Sequence, residues 1–185
     1  FYDGITTGEI QEILIKSASD LIELDAPNYQ FVAARLLLFG VRKRLWGRLH
    51  ESPSLGDHIT KCIKEGVYDS HFTSKYTDDE IDELDSYVDH DRDYLFTYAG
   101  LRQVTDKYLV QDRSTGELYE TPQFMYIMIA ATMFSEYPKE TRLDYVKRYY
   151  DAISRHRINI PTPVMGGVRT PIRQFASCVL VDIDD

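Results

Sequence analysis

The sequence is poor in cysteine, since its 185 residues include only Cys62 and Cys178. Neither stands in a CxxC motif, so a disulfide framework is excluded and a reducing, intracellular compartment is expected. No basic-then-apolar segment typical of a signal peptide precedes the first helical pattern. The sequence therefore predicts a cytoplasmic protein.

Long apolar runs and excess positive charge are also missing. The longest apolar run, residues 31–41, is interrupted by Arg35 and is shorter than the roughly 20 residues of a membrane-spanning helix. Acidic side chains outnumber basic ones by 30 to 21, which gives a formal net charge of -9. Because nucleic-acid affinity depends mainly on Lys and Arg, neither a membrane nor a nucleic-acid partner is predicted.

Helical patterning dominates the first half of the sequence. Thr6 and Glu9 have the spacing of a capping box, and apolar residues follow at helical spacing. Residues 31–41 predict a helix that is buried on most sides. A shorter helix is expected around residues 58–65, and Thr77 is expected to cap another.

The pattern changes in the second half. Residues 107–119 predict a short hairpin with glycine in its turn. Thr121 followed by Pro122 marks the start of a helix that extends to residue 136, and another helix is expected over residues 141–155. These features place a domain boundary in or just after the hairpin, with an all-helical domain before it.

Two later segments, residues 157–160 and 178–183, have the character of strands. In the second, the two-residue period puts Cys178 and Asp182 on one face and apolar residues on the other. The residue types leave two alternatives for Cys178, a buried structural cysteine or a reacting thiol that faces a cavity.

The loop before the last predicted strand is rich in proline, glycine and arginine. Gly166 and Gly167 would let a ligand approach the backbone closely. Further hydrogen-bond donors come from the side chains of Thr162, Arg169, Thr170 and Arg173. This composition suits a phosphate-binding loop, but it is equally compatible with a tight connection whose charges face water.

Two other clusters suggest metal binding only superficially. The acidic residues from Asp89 to Asp93 are adjacent on a predicted helix and do not converge on one point, so a solvated or ion-paired helix start is expected. His58 and Cys62 are four residues apart, but two ligands do not make a zinc site. No metal site is predicted.

Four segments carry a family signature, DHDRDYLFTYAGLRQVTDKYL, TGELYETPQFMYIMIAATMF, YPKETRLDYVKRYYDAIS and PTPVMGGVRTPIRQFASCVL. Their content and order resemble the catalytic large (alpha) subunit of class I ribonucleoside-diphosphate reductases. The resemblance covers essentially all 185 residues. The Thr-Pro pair, the Gly-Val-Arg-Thr-Pro run and the Ser-Cys pair of the last segment are its most specific parts.

The resemblance implies that residues 1–112 form the helical domain of a large-subunit fragment, without the ATP-cone module common in the family. Residues 113–185 would then begin its ten-stranded α/β barrel. The implied reaction reduces ribonucleoside diphosphates to deoxyribonucleoside diphosphates for DNA precursor synthesis. In this family a thiyl radical abstracts hydrogen from the ribose, and a cysteine pair supplies the electrons.

The resemblance also implies roles for single residues. Cys178 matches the first member of the redox cysteine pair, and Thr162 matches a substrate-binding threonine. Ser177 lies at the substrate pocket, and Asp185 matches the first residue of the site for a deoxynucleotide effector. The fragment itself would bind no cofactor directly, while the full enzyme responds to ATP and deoxynucleotides.

The implied partners are the rest of the large subunit, a radical-generating small subunit with a metal cofactor, and thioredoxin or glutaredoxin. A homodimer of the full subunit is also expected. The family's radical cysteine, the partner of Cys178 and the C-terminal shuttle cysteines are not among these residues, so the chain alone is predicted to be inactive. The alternative is a helical interaction module that retains the sequence but not the catalysis.

Overall fold

Helices make up the regular secondary structure of residues 2–47 and 51–181, the parts of the chain that the computed structural model describes. The α-helices in these ranges are α1 (Thr7–Asp20), α2 (Tyr29–Trp46), α3 (Leu55–Lys64), α4 (Asp78–Tyr87), α5 (Tyr98–Gln103), α6 (Pro122–Met133), α7 (Lys139–Ser154) and α8 (Thr162–Gly167). Two 3-10 helices, Ser70–Ser74 and His90–Leu95, and a π-helix, Val104–Tyr108, lie between them. None of the described helices has the length and apolarity that crossing a membrane requires.

Threonine N-caps fix where two of the predicted helices begin. The Thr6 hydroxyl accepts a hydrogen bond from the backbone N–H of Glu9 at 3.2 Å, and the Glu9 carboxylate accepts one from the backbone N–H of Thr6 at 2.8 Å. Thr77 and Glu80 form the same reciprocal pair at the start of α4. Such caps stabilise a helix by about 1 kcal/mol because they satisfy N–H groups that have no intrahelical partner. Both predicted helix starts are confirmed.

The hydrophobic core surrounds α6. Every residue from Pro122 to Ala131 is buried, and Pro122 occupies the first helical position after Thr121, as predicted. A helix that is apolar on all sides must be covered on all sides. One contiguous cluster of buried side chains does this, with contributions from each of the helices α1 to α7. Helices before and after residue 112 therefore share one core, and the division of the chain at that residue stays a prediction.

The strand predictions are wrong for the described residues. Residues 157–160 and 178–181 have no regular secondary structure, and residues 182–183 lie outside the described part of the chain. A strand is stable only when a neighbouring strand pairs with its backbone N–H and C=O groups. The described ranges contain no strand, so no such partner is present there. The helical part of the predicted fold class is confirmed, and no barrel strand is seen in these ranges.

The predicted hairpin is reduced to a single antiparallel bridge between Gln111 and Leu118. Gly116 lies in the turn between them with φ +75°, a conformation that favours glycine. Residues 107 and 108, predicted to start the first strand, instead belong to the π-helix that follows α5.

Candidate functional site

Thr162 lies at the start of α8, where Pro161 and Pro163 flank it. Its side chain is exposed, and its hydroxyl oxygen lies 3.3 Å from the hydroxyl oxygen of Tyr108. Tyr108 is the last residue of the π-helix and is half-buried. An exposed hydroxyl with a second hydroxyl beside it can donate to an anionic oxygen of a ligand.

Ser177 and Cys178 lie in an extended, exposed segment after α8. The Ser177 hydroxyl donates a hydrogen bond to the Cys178 sulfur at 3.8 Å, and Cys178 is a free cysteine. Cys178 is exposed in this chain, and its role stays a prediction. No hydrogen bond joins Thr162 to either residue. The predicted effector residue, Asp185, lies outside the described residues.

The contacts of Arg169 favour the second of the two alternatives for this loop, the tight connection, over a phosphate-binding role. Its Nε donates to Oε2 of Glu120 at 2.8 Å, its Nη2 donates to Oε1 of Glu120, and both side chains are fully buried. The Nη1 and Nη2 groups also donate to the backbone oxygens of Met165 at 2.7 Å and Tyr108 at 2.9 Å. Because a buried guanidinium needs a counter-charge and filled donors, Arg169 serves the fold rather than a ligand.

The other two predicted donors of the loop also have partners within the protein. The Thr170 hydroxyl donates to the backbone oxygen of Gly167 at 2.8 Å. Arg173 is exposed and forms an ion pair with Asp69 at the surface. The structure therefore favours the interpretation of residues 168–173 as a tight connection and leaves Thr162 as the loop hydroxyl that faces solvent.

The buried carboxylate of Glu120 connects several elements. It accepts hydrogen bonds from the Tyr68 hydroxyl at 2.5 Å and from the backbone N–H of Val110 at 2.7 Å. The Tyr68 oxygen lies 3.0 Å from Nε2 of His58, whose ring stacks on Phe124 at 4.3 Å between centroids. Burial lowers the pKa of His58 to about 4, although the nearby Glu120 charge opposes this shift. His58 is thus a neutral core histidine at neutral pH.

Cys62 lies beside His58, with its sulfur 3.7 Å from Nε2 of the imidazole. Burial raises the pKa of the Cys62 thiol to about 12, and the Glu120 charge acts in the same direction. The thiol is therefore protonated and unreactive at neutral pH. Within residues 2–47 and 51–181, no group of three or more His, Cys, Asp or Glu side chains could hold a metal ion.

The acidic segment before α5 forms ion pairs, as predicted. Asp93 is buried and lies 3.0 Å from Nη2 of Arg42, while Arg92 pairs with Asp89 at 3.2 Å and with Asp151 at 2.7 Å. Burial raises the pKa of Asp93 to about 6, although the Arg42 charge opposes the shift. These contacts tie the second 3-10 helix to α2 and α7.

A cavity of about 410 Å³ lies next to Tyr108. Tyr126, His156 and Asn159 contribute polar groups to its wall, and Met165 of α8 contributes an apolar one. Such a volume is large enough for a small molecule.

Sequence reasoning missed Tyr108 and Glu120. Tyr108 was placed in a strand, where no role was evident. Glu120 offered a usable signal, because an acidic residue two positions before a largely apolar helix can become buried and then needs a positively charged or donor partner. The sequence does not say that Arg169, which is 49 positions away, is that partner.

Comparison with known proteins gives a consistent picture. A family model described as "Ribonucleotide reductase, all-alpha domain" matches residues 94–173. All 185 residues align at 55% identity with ribonucleoside-diphosphate reductase 1 subunit alpha of Escherichia coli (strain K12), and at 52% with the corresponding subunit alpha of Haemophilus influenzae. The subunit alpha of Enterobacteria phage T4 is 46% identical over 183 residues, 99% of the chain. The chain spans 24% of the length of each of these relatives.

Proposed function

Because the chain belongs to the family of ribonucleoside-diphosphate reductase alpha subunits, we propose that it forms part of a large subunit that reduces ribonucleoside diphosphates to deoxyribonucleoside diphosphates. The observation that carries the proposal is the 55% identity over all 185 residues. The all-helical architecture of the described residues supports a place in the all-alpha part of that subunit.

Cys178 is the proposed reducing thiol. Replacement of the 2′-hydroxyl of the ribose by hydrogen takes two electrons, and the hydroxyl leaves as water. Cys178 and a second cysteine elsewhere in the subunit supply these electrons and two protons, and the two sulfurs end as a disulfide. The Ser-Cys pair at residues 177 and 178 supports this role because it is part of the family signature, and the Ser177 hydroxyl lies 3.8 Å from the sulfur of Cys178.

Thr162 and Ser177 are the proposed substrate contacts, and both present exposed hydroxyls. Thr162 would donate to a phosphate oxygen, and Ser177 would lie at the ribose side near the thiol. Asp185 is proposed to begin the site for a deoxynucleotide effector. A small subunit with a metal cofactor would supply the radical, and thioredoxin or glutaredoxin would reduce the disulfide again.

The test replaces Cys178 in the full-length subunit that contains this segment, assayed with its small subunit and its thioredoxin-type reductant. Cys178→Ser should abolish turnover, because serine cannot form the disulfide. Cys62→Ala is the matched control, since it removes the other cysteine of this segment, which is buried and protonated, and it should retain turnover. Full turnover by the Cys178→Ser enzyme would contradict the proposal and favour an interaction module.

A further inference from the structure

The hydroxyl groups of Tyr108 and Thr162 form a pair at the edge of α8. Their oxygens are 3.3 Å apart, although the residues are 54 positions apart in the sequence. Either oxygen can be the donor, because each hydroxyl carries one proton and accepts at its lone pairs. Which of the two hydroxyls donates can therefore change when a third hydrogen-bonding group, such as a ligand oxygen, binds beside them.

One buried side chain fixes the geometry of this pair. Nη2 of Arg169 donates to the backbone oxygen of Tyr108 at 2.9 Å, and Nη1 donates to the backbone oxygen of Met165 at 2.7 Å. Met165 lies three residues after Thr162 in α8, so the same guanidinium holds the backbones that carry both hydroxyls. Since Arg169 is fully buried against Glu120, its position is rigid compared with that of a surface side chain.

Glu120 fixes the chain on the other side of Tyr108. Its Oε1 accepts a hydrogen bond from the backbone N–H of Val110 at 2.7 Å. The backbone is thus held at Tyr108 by Arg169 and two residues later by Glu120. The side chain of Tyr108 remains half-buried at the wall of the cavity, with its hydroxyl directed to Thr162.

We propose that Tyr108 is a positioning residue that orients the Thr162 hydroxyl towards a phosphate oxygen of the ribonucleoside diphosphate. This inference rests on the proposed function, in which Thr162 binds substrate. When the Tyr108 hydroxyl donates to Thr162, the single proton of Thr162 is directed away from Tyr108 and is available to an anion. Linked hydroxyls also polarise each other, which strengthens the outer hydrogen bond.

The first experiment compares Tyr108→Phe with the unchanged full-length subunit, assayed with its small subunit and reductant on CDP. Loss of the hydroxyl should raise KM about fivefold, the effect of one neutral hydrogen bond, and should leave kcat unchanged. Tyr119→Phe is the matched control, because Tyr119 is also half-buried but forms no hydrogen bond to Thr162. Its KM should not change. The melting temperature of each variant shows whether the fold is retained.

A double-mutant cycle separates this inference from the proposed function. Thr162→Val should raise KM, and adding Tyr108→Phe to it should raise KM no further, because Tyr108 acts through Thr162. If Thr162→Val raises KM but Tyr108→Phe has no effect, or the two effects multiply, the positioning role is wrong and the substrate role of Thr162 stands. If Thr162→Val leaves KM unchanged, the substrate role is wrong and the positioning role falls with it.

Should Thr162→Val not fold, Thr162→Ser is the second variant, and it tests Tyr108 with the hydroxyl at residue 162 retained. The serine variant should bind CDP with a KM close to that of the unchanged enzyme, and Tyr108→Phe should again raise it about fivefold. An unchanged KM in that pair overturns the proposal.

Discussion

Glu120→Gln is expected to destabilise the chain far more than an ordinary surface change. Glutamine keeps the shape of the side chain but removes its charge, so the guanidinium of Arg169 is left buried without a counter-charge. Removing one partner of a buried ion pair costs about 3–5 kcal/mol in unfolding free energy, compared with a total of about 5–15 kcal/mol for a typical domain. With an m-value of about 2 kcal/mol per M of urea, the midpoint should fall by about 1.5–2.5 M.

The assay is equilibrium unfolding in urea, followed by circular dichroism of the helices and by fluorescence of the single tryptophan. Trp46 packs edge-on against Phe124 at 6.5 Å between ring centroids, so its emission reports on the core around α6. Asp144→Asn is the control, because it makes the same chemical change in a pair with Arg148 whose side chains are 68% and 71% exposed. That change should cost less than about 1 kcal/mol. A loss for Glu120→Gln no larger than the control would refute the argument.

Three other outcomes are expected. The pKa of His58 is about 4 in the folded chain and about 6.5 when unfolded, so its stabilising contribution is present above pH 6.5 and is lost as the pH falls towards 4. His58 should therefore lower the unfolding free energy by about 2 kcal/mol between about pH 7 and pH 5. In the His58→Gln variant the unfolding free energy should depend less on pH over this range. The same pH dependence in the variant and the unchanged chain would contradict the reasoning. Ellman's reagent should titrate one thiol quickly in the folded chain, and Cys178→Ser should remove that phase, whereas fast labelling of Cys62 would be inconsistent with its burial. The 185-residue chain by itself should show no reductase turnover, and any turnover in a standard assay would refute this.

Local sequence signals predicted the helices well. The capping pair of Thr6 and Glu9 and the Thr121-Pro122 start of α6 are decided by neighbouring residues, so the sequence contains the needed information. Residues 122–131 of α6 are buried, and apart from Gln123 they are apolar.

The failures concern interactions between distant parts of the chain. Residues 178–181 have the composition of a strand, but strand formation depends on a partner that the described residues do not provide. The position of Arg169 in a glycine-rich loop suggests a hydrogen-bond donor to a ligand. In the structure its guanidinium is instead buried in an ion pair with Glu120, which precedes α6, and the sequence does not show this pairing. The contact between Tyr108 and Thr162 could not be predicted from the sequence either, because it depends on how α8 packs against the π-helix.

The redox state of Cys178 after one turnover tests the central claim most directly. The full-length subunit, with its C-terminal shuttle cysteines replaced by serine so that they cannot reduce Cys178 again, would be given a ribonucleoside diphosphate together with its small subunit and without any external reductant. The reaction would then be quenched with iodoacetamide and examined by peptide mass spectrometry. The account predicts that alkylation of Cys178 is lost in proportion to the deoxyribonucleotide formed and returns after treatment with dithiothreitol. Product formation while Cys178 remains fully open to alkylation would contradict it.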